Sequence, residues 1–342
     1  MKTSLVILNW NGENFLREYL PSVIKYTLNT DTEVVVADNN SSDNSLLLLK
    51  NDFKEVKVIK LDKNYGFALG YNKALAQITD SEYFVLCNSD VLLKSDAVGP
   101  IIKLMDSDKE IAACCPKIKS LKNPEMFEYA GAAGGFIDKY GYPFCKGRIL
   151  DNIEKDLGQY NENSQVFWAS GAFLVIRSDV FKKIGGFDEE FFAHMEEIDL
   201  CWRVKNQGYK IMYCADSEVF HLGGGTLEQG NPRKLFLNYR NSLKMLMKNL
   251  APQKLIPTLY LRMCLDGLSA GVYLLQGKFS YFWAVFKAHL AFYGNFFKLL
   301  KQRKLLKKEV KTYKHKEIYN SSIVFQCLVK KRKKYFELKN VK

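Results

Sequence analysis

The chain has 342 residues, 47% hydrophobic and 25% charged, a balance that excludes a disordered, collagen-like or low-complexity protein. Its net charge of +13 is local: residues 298–342 hold 16 of the 50 Lys and Arg and 3 of the 37 acids, while the preceding residues carry 34 of each sign. A basic groove across the whole protein is therefore excluded, and the length suits two domains or one large domain with an appendage.

Ser4 to Leu8 is a short apolar, β-branched run, predicted as a strand. Asn14 to Tyr26 carries Phe15, Leu16, Leu20, Val23 and Ile24 at helical spacing. The alternation continues with strand Glu33 to Ala37, helix Ser45 to Phe53, strand Val56 to Leu61 and helix Phe67 to Ile78. Strand Tyr83 to Cys87, a helix from about Ser95 to Met105 and strand Ile111 to Cys115 complete it. Such alternation implies right-handed crossovers and an α/β fold with a mostly parallel sheet flanked by helices. The near-continuous Val, Ile and Leu runs fit strands covered on both faces.

Residues 116–165 are less regular and glycine-rich, and read as a long connection with a hairpin. Val166 to Ile176 reads as a strand and Glu196 to Asn206 as a helix, which Gly208 ends. Lys210 to Cys214 and Glu218 to Phe220 read as two short strands, and the chain turns helical from Asn231 to about residue 302. The eight cysteines form no C-x-x-C pair and several lie in apolar runs, which points to free buried thiols in a reducing compartment. The first apolar run is broken by Asn9 and Asn11, so no secretory signal is read and the protein is expected to face the cytoplasm.

Polar clusters follow three of the predicted strands: Asn9, Trp10, Asn11 and Gly12; Asp38 to Asp43 (DNNSSD); and Asn88, Ser89 and Asp90. Any one of them could be a turn, since Asn, Asp, Ser and Gly are turn and cap residues. Three at the carboxyl ends of parallel strands point to a ligand crevice. The first loop lacks G-x-G-x-x-G and there is no P-loop, which excludes the usual dinucleotide and P-loop sites. Carboxylates and amides there suit a nucleoside and a divalent cation against a diphosphate, with Asp38 facing base or ribose and Asp90 as metal ligand.

Downstream, Phe187 to Phe192 (FDEEFF) precedes Glu196, Glu197, Asp199 and Arg203 at helical spacing. Acids suit a helix N-terminus. A carboxylate in partly apolar surroundings also gains a raised pKa and becomes a useful general base. His221 is followed by Gly223, Gly224 and Gly225, a run that permits close backbone approach to a phosphate, and its imidazole could complete a metal shell begun by Asp90.

In this order, the segments Val6 to Gly12, Val34 to Ser45, Asn64 to Asn72, Phe84 to Val91, Trp168 to Ile176, Gly185 to Arg203 and His221 to Thr226 resemble glycosyltransferase family 2. The likeness is to its non-processive, rhamnosyltransferase-like branch with the GT-A nucleotide-sugar fold, and covers about residues 3–240. It implies inverting transfer of a single sugar from a dTDP- or UDP-linked donor to a hydroxyl of a saccharide or lipid-linked acceptor. It implies donor-binding roles for Asn9, Asn11, Asp38, Asn40, Asp43, Asn64, Gly66, Asn72, Asn88, Ser89 and Asp90, and acceptor-binding roles for Trp168, Gly171 and Glu196. Asp90 matches the last acid of the family's D-x-D motif and His221 a metal-ligand position, for Mn²⁺ or Mg²⁺; Asn88 stands where the first acid would be. Glu197 matches the second acid of the family's E-D pair, where the base sits, with Asp199 as fallback. No Q-x-x-R-W motif of processive members is present. A sugar-nucleotide nucleotidyltransferase would need a Gly-rich, basic first loop, and a basic non-enzymatic scaffold would give Asp90, Glu197 and His221 no role.

Between Leu255 and Leu300 the chain is apolar and aromatic, but charges interrupt every window of ~20 residues that could span a bilayer. Phe282, Phe286, Leu290, Tyr293 and Phe297 line one side of a helix, with Lys287, Lys298, Lys301 and Lys308 on another. That pattern suits a helix lying in an anionic membrane surface, or a hairpin packed on the catalytic domain or a partner. Residues 1–240 are read as the catalytic domain, 241–302 as a membrane-associating helical region and 303–342 as a basic tail that includes Lys330 to Lys334. No nucleic-acid-binding fold accompanies that run. The expected location is cytoplasmic, peripheral on the inner face of the cell membrane.

Overall fold

A computed structural model describes residues 2–27, 30–223 and 230–338. The first half runs β1 (Thr3–Asn9), α1 (Glu13–Thr27), β2 (Thr32–Asp38), α2 (Ser45–Asp52), β3 (Lys57–Lys60), α3 (Gly66–Leu75), β4 (Tyr83–Cys87), β5 (Val91–Leu92), α4 (Gly99–Ser107) and β6 (Ile111–Ser120). Next come the short strands β7 (Gly135–Asp138), β8 (Pro143–Cys145), β9 (Arg148–Ile149), β10 (Asn152–Ile153) and β11 (Ser164–Gln165). Then follow β12 (Phe173–Arg177), α5 (Ser178–Lys183), α6 (Glu196–Asn206) and β13 (Lys210–His221). The last part holds α7 (Pro232–Asn249), α8 (Pro252–Leu275), α9 (Phe279–Gly294), α10 (Phe296–Leu306), β14 (Ile318–Tyr319) and α11 (Ile323–Leu328).

Among the described residues the main sheet has the order β11-β13-β6-β12-β4-β1-β2-β3, with β5 paired to the end of β13. β1 lies parallel to both β2 and β4, and its register sets Asn9 beside Asp38 and Ile7 beside Cys87. The chain therefore leaves β1, β2 and β4 at one edge. β12 runs antiparallel to β4 and β6, with Phe173 opposite Cys87, so residues 168–172 enter the sheet at that same edge. The predicted strand Val166 to Ile176 begins only at Phe173. β13 is one strand rather than two, interrupted by an irregularity between Cys214 and Glu218.

Leu5, Ile7, Val36 and Val85 pack under α1, α2 and α4 on one face of the sheet; Val6, Val35, Phe84 and Leu86 pack on the other with α3, α6 and the second sheet. Burying both faces explains why the strands read as unbroken apolar runs.

The irregular region folds into a second sheet, ordered β10-β9-β8-β7-β14. Its last strand comes from the basic C-terminal segment: Ile318 and Tyr319 pair in parallel with Ile137 and Asp138. Ile323 and Cys327 are buried there and Tyr335 packs on Phe136 and Tyr160. The segment expected as a basic tail is thus a strap built into the body, because its charges are interleaved with these apolar residues.

α7 connects the sheets to α9 and α10 through Leu243, Leu246 and Met247, which share a core with Phe292 and Leu299. The buried Arg262–Asp266 pair of α8 (2.9 Å) also contacts the β7–β8 hairpin, through Tyr140 O and the ring of Tyr142. Among the described residues no helix is long and apolar enough to cross a membrane.

Candidate functional site

At the rim made by β1 and β2, buried Asp38 accepts hydrogen bonds from Asn9 Nδ2 (3.2 Å) and Ser41 N (3.0 Å). Asn11 N donates to Ser41 Oγ, and Asn11 Oδ1 accepts from Ser42 N. Asp43 accepts from Glu13 N and Ser45 N; desolvation pushes its carboxyl up, but these bonds outweigh that and hold it below its usual value. Asn39 bridges to the next loop, accepting from Tyr65 N and donating to Asn64 Oδ1 and Gly66 O. The exposed Asn11 and Asn40 both have left-handed backbone, at φ 50° and 62°, which Asn tolerates better than most residues. Asn9 Oδ1 is buried with no partner, so one acceptor in this rim is unspent.

Beside this rim, His221 ends β13 opposite Val91 of β5. Its Nε2 lies 3.1 Å from Asp90 Oδ1 and 3.4 Å from Asn88 Nδ2, and its Nδ1 lies 3.4 Å from Glu128 Oε2. Burial alone would lower the imidazole pKa, but the two carboxylates outweigh it and hold it near 10. Ser89 is half-buried between these groups. Gly224, Gly225 and Thr226 lie outside the described residues.

The acidic cluster lies on a distorted loop. Asp188 caps a short turn over Glu189–Phe191, and then Phe192, His194 and Met195 take left-handed backbone at φ 63°, 69° and 71°. Three such residues in a four-residue stretch cost conformational energy of a kind that collects at functional sites. They persist because Asn241 of α7 donates to three main-chain oxygens, of Phe191, Ala193 and His194, and Arg240 donates to those of Glu190 and Phe191. The α3 segment also grips the loop. Phe67 N donates to Phe192 O, and Asn72 exchanges two hydrogen bonds with the Phe187 backbone.

From this loop α6 begins with Glu196 and Glu197, each keeping a buried Oε2 without a partner. Desolvation pushes Glu197 up to about 7; burial and the neighbouring Glu197 charge push Glu196 well above the usual range. Gly171 lies beside Glu197 and under the Phe67 ring: a Cβ there would lie 3.8 Å from Glu197 Cβ and 3.2 Å from Phe67 Cζ. The next residue, Ala172, accepts from Asn88 N, which links the acidic loop to the Asp90–His221 pair. His194, also with an unpartnered buried nitrogen, is driven down to about 4 by burial and the Lys234 charge.

Three expected residues are placed differently. Asp199 is fully buried and bonded to Arg203, Lys248 and Asn249; burial raises its carboxyl, but the two cations outweigh it and hold the group ionised. That carboxylate is spent on anchoring α6 to α7 and is no fallback base. Trp168 is buried, its indole N–H taken by Phe136 O, so it packs the second sheet rather than offering a group to a ligand. Asn72 spends its amide on the Phe187 backbone.

Sequence reasoning missed Glu128 and Asn241. Glu128 lies in an irregular stretch, with Glu125 three residues before it, and gives no local signal. Asn241 had one: it is a polar residue in the buried stripe of Leu237 and Met245 on α7.

The site groups lie on loops at one edge of the sheet, and the chain is similar in sequence and fold to known proteins. The model of the family Glycosyl transferase family 2 matches residues 4–185. The rhamnosyltransferase WbbL of Escherichia coli is 24% identical over 229 residues, 64% of this chain and 82% of that protein. The N-acetylglucosaminyl-diphospho-decaprenol L-rhamnosyltransferase of Mycobacterium tuberculosis is 24% identical over 234 residues, 64% of this chain and 75% of that protein. Among solved structures, GalNAc-T7 with UDP, GalNAc and Mn²⁺ superposes with a TM-score of 0.57 at 17% identity, over 72% of this chain and 48% of the other.

Proposed function

The chain belongs to glycosyl transferase family 2, with the GT-A fold, and from that membership we propose that it inverts the anomeric centre while moving a single sugar from a dTDP- or UDP-linked donor to an acceptor hydroxyl. The observation that carries this reading is Glu197: a buried, unpartnered carboxylate oxygen at the start of α6 and a pKa near neutrality. Glu197 takes the proton of the acceptor hydroxyl as that oxygen attacks the anomeric carbon. The bond from that carbon to the diphosphate breaks, and the nucleoside diphosphate leaves with the electron pair. Such base catalysis is worth roughly 10²–10⁴-fold. Glu196, kept neutral by its surroundings, donates a hydrogen bond to the acceptor. Asn9, Asn11, Asp38, Asn40 and Asp43 hold the nucleoside side of the donor, with Asn64 and Gly66 shaping the loop beside them.

Asp90 and His221 fit a divalent cation, Mn²⁺ or Mg²⁺. Their 3.1 Å spacing is close to the roughly 3 Å between adjacent ligands of an octahedral ion with bonds near 2.1 Å. Among the described residues no three ligands converge, so the donor's phosphates and water would complete the shell. When bound, the ion would offset the charge that grows on the leaving diphosphate.

The acceptor is proposed to be a saccharide or lipid-linked saccharide in cell-surface polysaccharide synthesis, and the protein to sit peripherally on the inner face of the membrane. Phe286, Leu290, Tyr293 and Phe297 are exposed together while Ala284, Val285, Ala288 and Phe292 pack inward, and exposed Lys287, Lys301 and Lys308 lie nearby. That pairing of apolar surface and positive charge suits an anionic bilayer.

A panel of nucleoside-diphosphate sugars with dTDP-rhamnose, UDP-hexoses and UDP-galactose, read by release of nucleoside diphosphate in the presence of acceptor lipids, tests the reaction. Release from one donor, lost in Glu197→Gln, is expected. Equal release by the parent and Glu197→Gln would overturn the assignment of the base.

A further inference from the structure

We propose that Glu128 is the positioning residue of the metal site, holding the His221 ring so that Nε2 faces Asp90 and the ion. The inference rests on the reading of Asp90 and His221 as metal ligands.

An imidazole has two unlike nitrogens, and only one can meet a cation in a fixed geometry. Which one does so is set by the bond the other makes. Here Nε2 is the nitrogen beside Asp90 and Asn88, and Nδ1 points to Glu128 at 3.4 Å. That second contact is long, and Nδ1 has no well-aligned hydrogen bond. A carboxylate there accepts Nδ1–H, fixes the tautomer and leaves the Nε2 lone pair for the ion.

Glu128 is built into its place. Its N–H donates to Ile118 O, and its carboxylate accepts from Ala130 N. It is almost wholly buried. The chain after His221 passes directly over it: a Cβ at Gly223, whose φ is +69°, would lie 2.8 Å from Glu128 Oε1. A larger residue would push ring and carboxylate apart. Asn88 adds to the argument. With an amide in place of a first acid, the site holds one carboxylate and one imidazole, so ion affinity depends heavily on how the imidazole is aimed.

The test is Mn²⁺ binding by the full chain, followed by electron paramagnetic resonance with Mn²⁺ alone as probe. Glu128→Ala should weaken Mn²⁺ about 10–100-fold, the usual cost of losing an outer partner of a ligating His. Glu128→Gln, which keeps size and one acceptor, should fall between parent and Glu128→Ala, and stands in if the alanine variant does not fold. The ¹⁴N modulation from a bound imidazole should be present in the parent and lost or altered in both variants. Parent-like Mn²⁺ affinity and ¹⁴N modulation in the Glu128 variants, with affinity lost in His221→Ala, would overturn the role of Glu128 and leave the metal site standing. Parent-like affinity in His221→Ala and Asp90→Asn would instead overturn the metal site itself.

Discussion

The side-chain amide of Asn241 donates a 2.7 Å hydrogen bond to the main-chain oxygen of His194, three residues before Glu197. The same nitrogen serves Phe191 O and Ala193 O, so one buried side chain holds the left-handed stretch from which α6 starts. Asn241→Asp keeps the shape but removes the donors and puts a charge against three carbonyls. A shift of about 1 Å in a reacting group can cost about 10²-fold. Turnover should fall by about that factor while donor nucleotide affinity stays within a few-fold; steady-state rates and nucleotide titration measure both.

Glu197 gives two pH signatures. A base with a pKa near 7 must lose its proton to work, so turnover should rise with pH to a half-point near 7, and Glu197→Gln should abolish that limb. The folded pKa lies above the ordinary 4.5, so the folded state keeps a proton the unfolded chain releases between about 4.5 and 7. The carboxylate therefore destabilises the fold as pH rises through that window. Thermal melts should show Glu197→Gln above the parent at pH 8 and level with it near pH 4.5.

The Arg262–Asp266 pair is fully enclosed, with His289 at 3.3 Å from the second carboxylate oxygen. Removing one member leaves a buried charge unpaired, at a cost of about 3–5 kcal/mol. Asp266→Leu should show that loss in denaturant melts, and the double variant Arg262→Met with Asp266→Leu should recover much of it.

The membrane reading is tested by surface change rather than truncation, because the C-terminal strap carries β14 and removing it would strip a strand from the second sheet. Trp283→Ser, Phe286→Ser and Phe297→Ser together remove three exposed rings. Burying one large apolar side chain is worth about 1.5–3 kcal/mol. Co-sedimentation with anionic vesicles should therefore drop more than about tenfold, with circular dichroism unchanged.

The parallel half was legible because its signal is local. Val34 to Ala37 or Tyr83 to Cys87 can hardly be anything but a strand covered on both faces, and the polar residues that end them mark the rim. The second sheet was not legible, since strands of two residues such as Arg148–Ile149 carry no periodicity. The C-terminal strap was hidden by its lysines, although Ile318, Tyr319, Ile323, Cys327 and Tyr335 punctuate them. Among site residues, Asp38, Asp90 and His221 announced themselves by position after a strand or at its end. Glu197 stood out by its acidic neighbours, and the same neighbours made Asp199 look equivalent. What separates the two acids, besides Arg203 one turn along α6, is Lys248 and Asn249 of α7, some fifty residues away in sequence, which no local pattern contains.

β12 enters the sheet against the direction of its neighbours. The groove is therefore furnished by chain arriving as well as by chain departing. The departing loops carry the groups proposed for the donor, while the arriving segment, Ser170 to Ala172, carries Gly171, which sits beside Glu197. The two are tied by the bond from Asn88 N to Ala172 O, so recasting the arriving segment would also be felt in the loop that carries Asp90.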